Sequence, residues 1–247
     1  MKTCVITGAA SGIGAALAGV FVAKGYRVIG VDRRADETKG FTVLECDLGD
    51  QQALAALVQK LDSRIDVLIH SAGINLVGRF FSSDITKAKA VLDVNLRAPV
   101  QLTHLVLQKD LMHKESAVIF ISSLSHYVSY PGAAVYAASK DGLSAYARSL
   151  SAELKPLGIH VMTVFPGPTR TPHAAEHSPD NSREEARMPP EVLAQLIYTS
   201  LKRKRYKLLP GLSNKVFALI GQQFPLITER VMIRSILDKL PRNELWD

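Results

Sequence analysis

The chain has 247 residues, 47% hydrophobic and 21% charged, which is the balance of an ordinary globular protein able to bury one substantial core, and one domain is the expected organisation. Its formal charge of +7 favours anionic ligands, but a phosphate-bearing small molecule satisfies that as readily as nucleic acid or lipid headgroups. Only Cys4 and Cys46 are present, at no metal-ligand spacing, so the sequence argues against a metal site or disulfide framework and for two buried thiols in a reducing, cytoplasmic compartment.

From Thr3 to Ala23 there is no charged residue, yet Gly8, Gly12, Gly14 and Gly19 interrupt the run and a β-branched stretch precedes them. A strand, a turn and a helix fit this better than a leader or a membrane span. Residues 2–7 are expected to be the strand, 12–24 the helix and 26–31 a second strand, together a βαβ unit. Apolar runs at 41–45, 65–69, 116–121 and 159–164 alternate with helical patterns near 50–61, 86–111 and 134–155. That alternation predicts an α/β fold, a Rossmann-like doubly wound parallel sheet in three α/β/α layers.

Six of the twelve prolines fall between Pro166 and Pro190 beside the polar run Glu176 to Arg187, which predicts a loop placed to act as a lid. A helix over 191–203, a strand over 206–209 and two helices over 212–240 broken at Pro225 complete the expected elements. Residues 1–210 form the expected core and 211–247 a helical tail of the same domain.

Gly8, Ser11, Gly12, Ile13 and Gly14 follow the first strand and open the first helix, where glycines let backbone N–H groups and a helix N-terminus approach a pyrophosphate. Asp32 at the end of the second strand suits the adenosine ribose hydroxyls and would repel a 2′-phosphate, which points to NAD. Arg33 and Arg34 beside it suit a 2′-phosphate and keep NADP open. Asp47 and Leu48 after the third strand, and Ala72 and Gly73 after the fourth, are further candidates on the adenine side.

Tyr136 and Lys140, four apart on a helix, share a face, and a nearby cation is what a tyrosine of ordinary pKa near 10 needs to act as a base. Ser122 and Ser123 end an apolar strand just before that helix, and Asn95 interrupts an apolar helical stretch. His70, closing a buried strand, reads better as a satisfied structural residue than as a catalyst. His126 and Tyr130 are candidates for lining a substrate, with a plain loop role equally open.

These motifs together resemble the short-chain dehydrogenase/reductase family in its single-domain form, across residues 1–210: Thr7-Gly8-x-x-x-Gly12-Ile13-Gly14, Asp47-Leu48, Ala72-Gly73, Val94-Asn95-Leu96, Ser123, Tyr136-x-x-x-Lys140 and Pro166-Gly167 followed by Thr171. The resemblance implies hydride transfer between a nicotinamide and an alcohol or ketone, with Tyr136 as acid/base and Ser123 bonding the substrate oxygen. It implies that Lys140 clamps the ribose and lowers the Tyr136 pKa, that Asn95 holds a relay water, and that Pro166, Gly167, Thr169 and Thr171 face the cofactor. A homodimer or homotetramer through the helices near 88–111 and 136–155 is implied likewise. His70 and Ser71, where the family often has asparagines, and Met162, where an asparagine is common, depart from the pattern.

A non-catalytic dinucleotide sensor on the same fold is the alternative, disfavoured because Asn95, Ser123, Tyr136 and Lys140 all stand together. Nucleic acid is not an expected partner, since no recognition motif accompanies the charge. The run Lys202 to Arg205 with Lys207, followed by the amphipathic tail, leaves two readings: packing on the domain or a sister subunit, which is favoured, and contact with an anionic membrane surface.

Overall fold

A computed structural model describes residues 1–34, 40–80, 83–178, 180–182 and 184–241; the end of the expected tail and parts of the expected lid lie outside these. Thr3–Thr7 (β1) is buried at every position, and a crossover through Gly12–Ala23 (α1) leads to Arg27–Asp32 (β2), which pairs with it in parallel. Thr42–Glu45 (β3), Gln51–Gln59 (α2) and Ile65–His70 (β4) follow, then Ile85–Leu92 (α3), Ala98–Gln108 (α4) and Met112–Ile121 (β5). Ala134–Leu154 (α5), His160–Val164 (β6), Pro172–His177 (α6), Pro190–Lys202 (α7) and Lys207–Leu208 (β7) complete the core, and Leu212–Gln223 (α8) and Pro225–Ser235 (α9) form the tail.

The described strands make one parallel sheet in the order β3-β2-β1-β4-β5-β6-β7. The order reverses between β1 and β4, so the crevice at their carboxyl ends is where such a sheet binds a ligand. Because both faces are covered, the central stretches of β1, β2, β4, β5 and β6 are near-continuous apolar runs rather than alternating. One face packs Val5, Leu68 and Phe120 against Leu57, Leu102 and Leu143 of α2, α4 and α5. The other packs Ile6, Ile69 and Ile119 against Leu17 and Phe21 of α1 and Leu193 and Ile197 of α7. Each such side chain contributes about 1.5–3 kcal/mol by leaving water.

Three expectations need correction. The helix expected near 86–111 is two helices, α3 and α4, joined by a π-helical turn over Asp93–Arg97 with Asn95 buried in it. The stretch expected as a loop contains α6 and a short helical turn at Glu184–Ala186, pinched at its base by a Thr169–Met188 bridge. Strand β5 starts four residues early because Ile65 of β4 extends its pairing to Met112.

The tail packs on the domain, as favoured: Ala218, Phe217 and Met232 join Leu124, Tyr127, Val128 and Phe165 in a third small core. Among the described residues, no helix is long and apolar enough to cross a membrane.

Candidate active site

The turn after β1 is locked by its own crowding. Gly8 takes φ +72°, donates its N–H to Val31 O at 2.8 Å, and leaves no room for a side chain, since a Cβ there would lie 2.8 Å from Ala72 Cα. Gly14 is tighter still, its would-be Cβ 1.9 Å from the Gly8 carbonyl oxygen. Thr7 Oγ1 accepts from Ser71 N at 3.1 Å and Ala72 N at 3.2 Å, tying the turn after β4 to the turn after β1. Ser11 caps α1 in extended conformation without spending its side chain on the cap, leaving the helix N-terminus open toward the crevice.

The result is a cleft of about 490 Å³. Of the sequence candidates it gathers Gly8, Ser11, Gly12, Ile13, Gly14, Asp32, Arg33, Asp47, Leu48, Ala72, Gly73 and Thr171 on its walls, together with Arg34. Asp32 is aimed by two backbone donors, Ala10 N at 3.0 Å and Arg33 N at 2.8 Å, one to each carboxylate oxygen. Asp47 accepts from Gly49 N at 2.8 Å. Ser71 Oγ is buried on the same wall with no hydrogen-bond partner among the described residues. A glycine floor, an open helix N-terminus and an orphaned hydroxyl fit an anionic dinucleotide.

Beyond the cleft stand the four chemical candidates. Gly73 is the junction, since a Cβ there would lie 3.1 Å from Lys140 Nζ and 3.4 Å from Asn95 Oδ1. Lys140 is 4% exposed and donates to Ile121 O at 3.0 Å; burial pulls its ammonium down to about 8. That ammonium lies 5.8 Å from the centroid of the Tyr136 ring. Burial pushes the Tyr136 phenol up to about 12, a hydrogen bond with Ser123 opposes this, and Tyr130 adds to the rise. Tyr130 meets Tyr136 edge-on at 5.9 Å between ring centroids.

The two neighbouring serines separate. Ser122 Oγ is consumed by Lys140 O at 3.0 Å and Ser144 Oγ at 2.7 Å, whereas Ser123 faces Tyr136 and accepts from Ser125 N. Asn95 Oδ1 accepts from Ile74 N at 2.8 Å, and its Nδ2 donates to Ile74 O at 2.9 Å and to Ser139 Oγ at 3.0 Å.

His70 is a core residue. It bonds Thr103 Oγ1 at 2.8 Å, stacks on Phe120, and burial drives its imidazole down to about 3, so it is neutral. His126 pairs with Asp141 at 3.0 Å and leans on Phe165.

Pro166, Gly167 and Thr169 do not line the cleft. Pro166 O accepts from Leu124 N, Gly167 is packed against the Asn214 side chain, and Thr169 turns its hydroxyl back to Gly167 O. Thr171 Oγ1 caps α6 through Ala174 N at 3.1 Å. This helix carries Pro172, His173 and Glu176 into the cleft, residues not expected from the sequence. The signal was present: Thr171-Pro172 is an N-cap followed by proline at the first helical position.

Comparison with known proteins agrees with this arrangement. The family model for short chain dehydrogenase matches residues 2–182. Dehydrogenase/reductase SDR family member 7B of Danio rerio is 34% identical over 190 residues, covering 69% of this chain, which itself spans only 62% of that protein's length. A short-chain dehydrogenase from Streptomyces avermitilis superposes with a TM-score of 0.78 at 25% identity, over 94% of each chain. One from Sphingobium yanoikuyae, solved in complex with NADPH, does so with a TM-score of 0.77 at 26% identity, over 92% of this chain and 95% of that one. With the sheet order, the glycine turn and the matched residues in hand, the chain belongs to the short-chain dehydrogenase/reductase family of nicotinamide-dependent oxidoreductases.

Proposed function

We propose that this oxidoreductase moves a hydride between NAD and a secondary alcohol or ketone, with Tyr136 exchanging the hydroxyl proton. The observation that carries the reading is the cluster of Ser123, Tyr136 and Lys140, whose ammonium lies against Gly73 on the wall of the glycine-lined cleft. When bound, the nicotinamide donates or accepts the hydride at carbon. With substrate and cofactor both bound, Ser123 and Tyr136 would hold the substrate oxygen between two hydroxyls, and Lys140 would hold the nicotinamide ribose.

With its phenol held up to about 12, Tyr136 is a proton donor at neutral pH, the form that carbonyl reduction uses. Alcohol oxidation needs the phenolate, which positive charge from Lys140, and from the oxidised cofactor when bound, would stabilise. Asn95, bonded to Ile74 and Ser139, holds the turn beside Lys140 in place, where a relay water would sit. The preference for NAD rests on Asp32, whose oxygens each keep a lone pair for ribose hydroxyls, against Arg33 and Arg34 on the same wall. Subunits pair through α4 and α5 as a homodimer or homotetramer, which light scattering checks.

The test is Tyr136→Phe assayed on a panel of secondary alcohols and ketones with both cofactors. Turnover falls by about 10²–10⁴ while cofactor affinity, read by fluorescence titration, stays within about twofold. A phenylalanine variant with wild-type kcat overturns the proposal, and faster turnover with NADP(H) reverses the cofactor preference.

A further inference from the structure

The outer faces of α8 and α9 hold eight of the sixteen large hydrophobic side chains that the described residues expose, within twenty positions of sequence. On α8, Asn214, Phe217, Ala218 and Gly221 face the domain, so Leu212, Val216 and Leu219, spaced four and three apart, form a stripe on the opposite side. They are 78%, 51% and 59% exposed. On α9, Thr228 and Met232 face inward, while Ile227 and Val231, four apart, face outward. Phe224 and Leu226 fill the corner between the helices, 58% and 68% exposed. Monomer surfaces scatter such side chains singly, and a concentrated patch marks an interaction site.

The charges on these helices select the partner. Lys215 borders the α8 stripe, and Arg230 and Arg234 border the Ile227–Val231 stripe. None of the three side chains has an ion pair or hydrogen bond with the described residues, and Glu229 is the single acidic residue on the two helices. A second copy docked about a two-fold axis would face this patch with its own image, bringing unpaired cations together. An anionic bilayer accepts both features, taking the apolar stripe into the acyl boundary while the cations stay among the headgroups.

We propose that the α8–α9 face is a docking surface for an anionic phospholipid bilayer. The cationic run Lys202 to Arg205 is not part of it. Arg205 O accepts from His160 at the start of β6, whereas α8 begins after β7, at the carboxyl ends of the strands. The inner side of the same helices backs the site: Gly221 of α8 abuts Tyr127 O, a few residues after Ser123, and Asn214 abuts Gly167. Docking therefore sets the bilayer one helix layer away from the catalytic cluster.

Co-sedimentation of the full chain with phosphatidylglycerol vesicles and with phosphatidylcholine vesicles tests this. Binding to the anionic vesicles is expected, weakening with salt and falling on the order of a hundredfold in Lys215→Gln/Arg230→Gln/Arg234→Gln, at about fivefold per cation. Leu219→Gln/Ile227→Gln, at two exposed positions and with its fold checked by circular dichroism, is expected to abolish it. Absence of binding by the wild type, equal binding to both kinds of vesicle, or variants that bind as tightly as the wild type, overturns the proposal. So does a wild-type dimer in light scattering that Leu219→Gln/Ile227→Gln converts to monomer, because the patch is then a contact between copies.

Discussion

Asn95 and Ile74 close a ring of two hydrogen bonds, amide to backbone in both directions, at 2.8 Å and 2.9 Å. This ring fixes the strand-to-loop exit of β4 onto the π-helical turn between α3 and α4, and the remaining Asn95 N–H reaches Ser139 Oγ, one residue from Lys140. Asn95→Ala is expected to cost about 2–4 kcal/mol, because each buried group left unpaired costs about 1–3 kcal/mol. Thermal melting should show the loss directly. Asn95→Asp keeps the acceptor but turns lone pairs toward Ile74 O and the Ser139 hydroxyl, and should rescue stability only in part.

Lys140 carries a pH signature with a definite sign. Its pKa is about 8 in the folded chain against 10.5 unfolded, so between those values the unfolded chain holds more protons. Stability from this residue therefore rises with pH across that window, by at most about 1.4 kcal/mol per unit. Urea unfolding of the wild type and Lys140→Met from pH 7 to 9.5 should show the wild type gaining on the variant. A constant difference would mean that the ammonium is not desolvated. The window stops short of pH 10, above which Tyr136, with its raised folded pKa, contributes the opposite slope.

His70 offers the acid-side counterpart. Folded at about 3 against 6.5 unfolded, it loses stability as pH falls through that interval, because only the unfolded chain takes up the proton. His70→Leu should flatten the slope of unfolding free energy between pH 4 and 6 by about one proton, while retaining activity within a few fold if the residue is structural.

Two glycines of α1 should behave in opposite ways. At Gly14 a Cβ would sit 1.9 Å from a backbone oxygen that cannot yield, so Gly14→Ala should distort the turn, weaken cofactor binding more than tenfold and cost about 1–3 kcal/mol or more. Gly19 has nothing within 4 Å of its would-be Cβ and lies inside the helix, so Gly19→Ala should be neutral or stabilise by about 0.5–1 kcal/mol. Isothermal titration and melting of the pair separate the two effects.

The sequence by itself determined the layered parallel sheet, since buried β-branched runs alternating with amphipathic stretches have few other ways to cover both faces. It also determined the glycine turn and the Tyr136–Lys140 face, because these rest on local spacing: a strand, a turn and one helical repeat. Tertiary structure alone decided what each polar group bonds. It assigned Ser122 to Ser144 and Ser123 to Tyr136, two neighbours identical in type. It turned the Asn95 interruption into a π-helical turn anchored by Ile74, twenty-one residues earlier in the chain. It also set Lys202 to Arg205 and the apolar tail, which adjoin in sequence, at opposite ends of β7, and turned Lys207 over the Tyr127 ring. Hydrophobic periodicity is written in neighbouring residues, but hydrogen-bond partners and the side of the molecule a charge occupies depend on contacts between residues far apart in the chain.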